Sequence, residues 1–273
     1  MTETSKEILR RHHLRAKKDW GQNFLDDEQV LAQIAAACSV DETDVVVELG
    51  AGLGHLTRAL AETGARVVAV ERDRELVAIL SAELALPNVR VVAANAAGID
   101  FAAVAGVDRP VVAGNLPFQL SSSILFAVLE QRAHVRRAVF LLQKEVALRI
   151  AAPPGGREYG LLSVLTQAFA NVGVVLEVGA HLFHPPPKVD SALLRIDLLE
   201  KPRAEVGDSA RFTKIVKAAF ALRRKTLWNS LRSARLVPEE ALRAALAKAQ
   251  IDPVRRAETL SPQEFAALAR ELP

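Results

Sequence analysis

The chain has 273 residues, half of them hydrophobic, enough for one large domain with its own core and a smaller one beside it. No apolar run approaches the roughly 20 residues of a membrane span, the N-terminus carries basic residues without an apolar signal core, and the single cysteine, Cys38, has no partner for an internal disulfide. These features argue against membrane-spanning and disulfide-framed secreted classes and lead us to expect a cytoplasmic protein. A net charge of +3 is mild, so the distribution of charge is the better guide. Six Lys/Arg stand against one Glu between Lys6 and Lys18, and eight stand against no acid between Arg211 and Arg235. Either run alone reads as a solvated helix face; one at each end points to a polyanionic partner.

Val45–Leu49 is a short β-branched run followed by glycines, and a helical pattern starts at Leu56. Val67–Val70 repeats the strand signal, and Arg74–Leu84 reads as a helix. Val89–Ala93, Val111–Ala113 and Ala138–Leu142 are further buried strands between helical stretches. This alternation predicts an α/β, Rossmann-like fold, a doubly wound and mainly parallel sheet with helices on both faces. Val172–Val178 and Ala192–Leu198, joined through a Pro-rich loop, read as an antiparallel pair closing the sheet edge. Texture changes at Leu199–Pro202, and a polar stretch through Asp208 leads into helical segments over Ala210–Ala221, Arg224–Ser233, Pro238–Ala249 and Pro262–Leu272. The expectation is an α/β domain over 1–200, with a basic arm over 1–20, and a small all-α domain over 208–273.

The chemistry gathers at strand ends. Gly50, Gly52 and Gly54 lie between a strand and a helix, where glycine lets a ligand approach the backbone and the helix start offers unpaired N–H groups. A dinucleotide fingerprint needs its third glycine at position 55, which is His55; Gly-x-Gly-x-Gly is instead the spacing of S-adenosylmethionine enzymes. Glu71 closes the second strand, where a carboxylate can accept from both ribose hydroxyls of a nucleoside cofactor; the bland alternative is a strand-end acid in water. Asn95 ends the third strand, placed to read an adenine edge, and Asn115 ends the fourth. Ligands of such sheets bind beyond the carboxyl ends of the strands, so these positions converge on one crevice.

Asn115-Leu116-Pro117-Phe118 then gains a role beyond a Pro turn. The lone pair of an exocyclic adenine amine is delocalised into the ring, which makes it a poor nucleophile. Two acceptors against its N–H bonds, the Asn115 side-chain oxygen and the Leu116 carbonyl, would draw that lone pair out of conjugation. Pro117 fixes the local φ, and Phe118 offers a face on which a base stacks. Glu48 either holds a water near the cofactor or caps the loop. Trp228, in the basic helical region, either stacks on RNA or packs against its own domain. The histidines, including the pair His12 and His13, have no metal-like spacing, and no metal is expected.

Nearly end to end, the chain resembles the small-subunit ribosomal RNA adenine N6,N6-dimethyltransferases. Gly21-Gln22-Asn23-Phe24-Leu25 is similar to the family's N-terminal cofactor motif, which implies that the backbone and Gln22, Asn23 and Leu25 cover the methionine part. Gln143–Ala147 and Tyr159–Val164 follow its middle region, and Phe183–Ser191 resembles a loop that brings a second aromatic, Phe183, to the target base. Arg223-Arg224-Lys225-Thr226-Leu227 and Arg256–Leu260 resemble segments of its C-terminal domain, and Arg223, Arg224 and Lys225 are read as RNA-binding. The resemblance also sets Arg72 and Ala96 beside Glu71 and Asn95 in the cofactor site.

The implied reaction is transfer of methyl groups from S-adenosylmethionine, leaving S-adenosylhomocysteine, to two adjacent adenosines near the 3′ end of 16S rRNA, coupled to small-subunit assembly, by a monomer. Two departures stand out. Asn95 replaces the family's usual Asp, so it is expected to accept from the cofactor's amine without charge assistance and to bind more weakly. Phe118 replaces a more frequent Tyr, which stacking tolerates. Two rivals remain: a large-subunit methyltransferase of the macrolide-resistance type, and a weakly or non-catalytic RNA-binding assembly or transcription factor on the same fold.

Overall fold

The computed structural model describes residues 3–222 and 224–273. In chain order the strands are β1 Phe24–Leu25, β2 Val45–Leu49, β3 Arg66–Glu71, β4 Val89–Ala93, β5 Val111–Asn115, β6 Arg137–Gln143, β7 Ala170–Val178, β8 Phe183–His184 and β9 Ser191–Leu198. The helices are α1 Ser5–Arg11, α2 Glu28–Cys38, α3 His55–Ala61, α4 Arg74–Glu83, α5 Phe101–Ala105, α6 Ser121–Glu130, α7 Lys144–Ala151, α8 Leu161–Phe169, α9 Ser209–Phe220, α10 Leu227–Ala234, α11 Glu239–Lys248 and α12 Pro262–Glu271.

Seven strands make one sheet in the order β4-β3-β2-β5-β6-β9-β7. β2 pairs in parallel with β3 and β5, β3 with β4, and β5 with β6, while β9 runs antiparallel to β6 with Leu193 opposite Leu141. The order reverses between β2 and β5, which opens a crevice at their carboxyl ends. Both expected C-terminal strands form, with β9 inserted inside the sheet and β7 left as its edge. Their sequences explain the placement: Ala192, Leu193, Leu194 and Ile196 are fully buried, whereas β7 alternates between exposed and half-buried residues, as a strand covered on one side does.

The turns into helices are chemically marked. Asp27, Asp73 and Asp100 each accept a backbone N–H at the start of α2, α4 and α5, satisfying a donor that the helix itself leaves open. On one side of the sheet, Val46, Val111, Ala113, Val139 and Leu141 share a core cluster with Ile34 and Cys38 of α2 and Leu56 and Leu60 of α3. Each such Ile or Leu contributes about 1.5–3 kcal/mol on burial. That cluster makes the strand ends a rigid frame.

Two compact units divide the chain: one runs through Ala147 and resumes over Gly173–Leu198, and the other joins Leu148–Val172 to Leu199–Pro273. The expected α/β domain over 1–200 is therefore not continuous: one division falls after Leu198, but Leu148–Val172, with α8, goes with the C-terminal helices. The reason is aromatic packing and backbone pairing within the second unit. Phe169 meets Phe212 edge to face at 6.0 Å, Tyr159 meets Phe220 at 6.4 Å, and Leu199 and Arg203 donate backbone N–H bonds to Phe169 and Ala168. α10 begins at Leu227 rather than Arg224, since Arg224 is left-handed at φ 64° and Thr226 caps the helix through Asn229 N–H.

Candidate active site

At the switch point the loop after β2 folds back over the end of β3: Gly50 and Ala51 N–H donate to the Val70 carbonyl at 2.8 and 3.1 Å. Gly50 and Gly52 hold φ of +74° and +60°, where a side chain would be strained, and a Cβ on Gly52 would lie 3.1 Å from the Phe24 ring. Both line a cleft of about 790 Å³. Gly54 lies outside that lining and serves packing instead, since a Cβ there would come within 2.1 Å of Leu84.

Glu71 closes one side of the cleft and is nearly buried, but most of its hydrogen-bonding capacity is already engaged. Its Oε2 accepts from Gly52 N–H at 3.0 Å, and its Oε1 accepts from Arg72 and Asp73 N–H at 2.8 Å each. A carboxylate offers about four acceptor sites, so roughly one remains for a ligand, fewer than a grip on two ribose hydroxyls needs. The Arg72 guanidinium lies 4.3 Å over the ring of Trp20, and both residues line the cleft. Asp73, 3% exposed, accepts from Lys17 Nζ at 2.8 Å and from Gln22 Nε2 at 2.9 Å. Burial alone would raise its carboxyl, yet those hydrogen bonds hold it below the ordinary range. Gln22 Oε1 also accepts from Lys17 N–H, so both ends of this side chain fasten the N-terminal arm to the turn after β3. The arm thereby places Trp20, Gly21, Asn23 and Phe24 along the cleft.

Asn95 and Ala96 stand at the end of β4 in the same lining. Asn95 has extended backbone (φ −86°, ψ 118°), and its Oδ1 accepts from Ala97 N–H at 3.2 Å. The side-chain oxygen expected to face the cofactor is thus engaged as a cap.

Asn115 differs. Its Nδ2 donates to the Asn23 carbonyl at 2.9 Å, which orients the carboxamide, and among the described residues no hydrogen bond reaches its Oδ1 or the Leu116 carbonyl. The Leu116 side chain is buried and anchors the segment, and the Pro117 carbonyl accepts from Leu120 N–H at 2.9 Å to close the turn. A Cβ on Gly21 would sit 3.5 Å from Pro117 Cβ, so the arm and this turn touch closely. Phe118 lines the cleft half-buried. Phe183 lines it too, although it is 5% exposed and belongs to the core cluster around Leu25, opposite which it pairs in β8. Its ring serves the core and the cleft wall together.

Two expected residues lie behind this cleft. Leu25 is a core side chain, 4% exposed. Glu48, 1% exposed, accepts from Thr57 Oγ1 at 2.6 Å, and burial pushes its carboxyl up to about 8, so it is neutral at pH 7. Both line a smaller pocket of about 350 Å³ that shares Gly50 and Asn115 with the cleft. Sequence reasoning missed Trp20, Leu76, Leu120 and Ile124 in the cleft wall. The spacing of Leu120 and Ile124, one helical turn apart just after Phe118, was the available signal.

Among the described residues no group of three or more His, Cys, Asp or Glu is placed to hold a metal ion, and no helix is long and apolar enough to cross a membrane. In the second unit, Arg223 lies outside the described residues. Arg224 and Lys225 are exposed, and Lys225 joins Asn229, Arg232, Ser233 and Arg235 around a groove whose one carboxylate is Glu239. Among the described residues Arg224, Lys225, Arg232 and Arg235 form no ion pair. Trp228 has the Arg243 guanidinium 4.8 Å over its ring, so that ring already has a partner.

The sequence profile of the family described as "Ribosomal RNA adenine dimethylase" matches residues 13–273. The "Ribosomal RNA small subunit methyltransferase A" of Myxococcus xanthus is 60% identical over 271 residues, 99% of this chain and 95% of the relative. The protein of the same name from Geobacter metallireducens is 47% identical, over 97% of this chain and 98% of its own. Among solved structures, 23S rRNA methyltransferase ErmE superposes with a TM-score of 0.71 at 26% identity, covering 91% of this chain and 99% of that one. A dimethyladenosine transferase from Plasmodium falciparum has the same fold, with a TM-score of 0.77 at 24% identity over 90% of this chain and 95% of its own.

Proposed function

This chain belongs to the ribosomal RNA adenine dimethylase family, and we propose that it dimethylates the N6 amine of two adjacent adenosines near the 3′ end of small-subunit ribosomal RNA, with S-adenosylmethionine as donor. The single observation that carries the acceptor chemistry is the state of Asn115. Its amide nitrogen is tied to the Asn23 carbonyl, and among the described residues its oxygen and the neighbouring Leu116 carbonyl accept no hydrogen bond, in the wall of one cleft. Two acceptors aimed at an exocyclic amine favour the pyramidal, nucleophilic form of that nitrogen over the planar, conjugated one. They are held before the reaction by β5 and by the arm, so little reorganisation is needed.

The residues present fit the cofactor. Glycines at positive φ give a backbone cradle without side chains, and Glu71 keeps about one free acceptor for a ribose hydroxyl. Gly50, Gly52, Glu71, Arg72, Asn95 and Ala96 would hold it, with Asn23 and the smaller pocket beyond Gly50 available to its amino-acid end. S-adenosylmethionine supplies a methyl on a sulfonium whose loss leaves a neutral thioether. What the protein adds is positioning, which can be worth roughly 7–11 kcal/mol of barrier. The target base must leave its stack to enter, and Phe118 and Phe183 offer it aromatic walls. Lys225, Arg232 and Arg235, which form no ion pair among the described residues, support the second unit as an RNA-backbone contact. A monomer acting in the cytoplasm is part of the same reading.

Replacing Asn115 with Ala tests it. Transfer of tritiated methyl to immature small subunits is expected to fall about 100-fold or more, the scale of losing one preorganised polar group at a reacting atom. Activity near wild type in that variant would remove Asn115 from the chemistry. The similarity to ErmE keeps one alternative substrate, large-subunit RNA, and mass-spectrometric mapping of the methylated nucleotide decides between them.

A further inference from the structure

We propose that Asn95 reads the cofactor's base as a hydrogen-bond donor, so that this site recognises a ring nitrogen of the adenine and is indifferent to its exocyclic amine. The inference rests on the methyl-transfer reading of the cleft and concerns the specificity of that same site.

Ala97 N–H can only donate, so the Asn95 atom that meets it at 3.2 Å must be the oxygen. The same residue's own carbonyl accepts from Gly98 N–H at 3.3 Å, and its backbone is extended, so the cap geometry sets the side chain. A carboxamide is planar, and once its oxygen is turned along the chain, the atom left over is Nδ2. That nitrogen carries two N–H donors and has no partner among the described residues, while Asn95 lines the cleft together with Ala94 and Ala96. An aspartate in this position would behave differently, because one oxygen could cap Ala97 and the other could still accept. An asparagine cannot do both with two different atoms. A donor facing an amine gains nothing, whereas a donor facing a ring nitrogen makes a hydrogen bond.

The consequence can be measured on binding alone. The probes are S-adenosylhomocysteine and its 6-deamino analogue, in which hydrogen replaces the exocyclic amine while the ring nitrogens remain. Both are titrated calorimetrically into the full chain and into Asn95→Asp. Aspartate caps a turn as well as asparagine does, so the variant keeps the fold and changes only the side-chain atom not used in the cap from donor to acceptor. For the wild-type chain the two probes are expected to bind within about 3-fold of each other. Asn95→Asp is expected to prefer the amine-bearing probe by about 10-fold or more, the scale of a hydrogen bond to a charged group. A 10-fold preference already present in the wild type would mean that the second lone pair of Oδ1 serves the amine, and the proposal falls. An unchanged ratio in Asn95→Asp overturns it as well. If neither probe binds the wild-type chain, the cofactor reading itself fails and takes this one with it; if the amine-bearing probe binds and only the ratio is wrong, the methyltransferase reading stands.

Discussion

The two halves of the cleft treat their polar atoms in opposite ways. On the β3 side, Glu71, Asp73 and Gln22 spend their side-chain hydrogen bonds mainly within the protein, three of them on Glu71 alone. On the β5 side, Asn115 uses its nitrogen for support, and among the described residues no hydrogen bond reaches its oxygen or the Leu116 carbonyl. Both halves line the same cavity and both come from strand ends, so position in the sheet does not distinguish them. What does is whether a side chain is holding the protein together or is itself being held. Engaged groups build a fixed wall against which a ligand is placed; open acceptors, kept open by an anchored partner atom, are where charge can be redistributed during a reaction.

That contrast predicts unequal responses to substitution. After the loss expected at Asn115, the largest is also on the β5 side, at Phe118, whose ring is not part of the core cluster around Leu25. Phe118→Ala removes a stacking surface worth about 1–3 kcal/mol per base, so kcat/KM for the RNA particle should drop about 10–100-fold, with Phe118→Tyr close to wild type. Cofactor affinity, measured separately by calorimetry, should change far less. A drop in cofactor affinity equal to the loss of activity would erase the division between the halves.

A smaller and different effect is expected from Asp73→Ala on the other side. The variant releases the Lys17 ammonium and Gln22 Nε2 from a nearly buried carboxylate, leaving Lys17 with Glu75 at 2.6 Å. The arm that carries Trp20 and Asn23 then has to be ordered when the cofactor binds. We expect cofactor Kd to rise about 10-fold, reflecting a few side chains newly immobilised on binding, while turnover at saturating cofactor is retained. A turnover defect without a Kd change would assign Asp73 to the chemistry instead.

Much of this frame was legible in the sequence, and the reason is local. β-branched runs followed by Gly50, Glu71, Asn95 and Asn115 mark strand ends without help from distant residues, and the parallel sheet and its crevice follow from their alternation with helices. The allegiance of α8 was not legible, because its apolar face is claimed by Phe212 and the C-terminal helices, distant in sequence. Nor could the sequence tell that Glu71 is mostly occupied by backbone N–H groups, that Gln22 is a fastening, or that Phe183 is a core side chain. Residue type states what a group can bond to; only the fold states what it has already bonded to. Arg224 is a further case, since a helical pattern ran through a residue that the turn before α10 holds left-handed.

Glu48 gives the comparison its finest test, because it lies behind the β5 side in the pocket that contains Asn115. With its carboxyl raised by burial from the ordinary 4.5 to about 8, the folded chain keeps a proton that the unfolded chain loses. The stability contributed by this group is therefore fully present below about pH 4.5 and is lost as pH rises through about 8, since over that window the unfolded state binds fewer protons. Glu48→Gln keeps a neutral acceptor for Thr57 Oγ1 and has nothing to titrate. Its unfolding midpoint, followed by calorimetry from pH 5 to pH 8.5, is expected to decline less than that of the wild type, with the two closest at the acid end. Parallel profiles would mean that Glu48 is ionised in the folded chain. A negative charge would then sit in the pocket beside Asn115, so the two open acceptors could no longer be treated as acting on the amine by themselves.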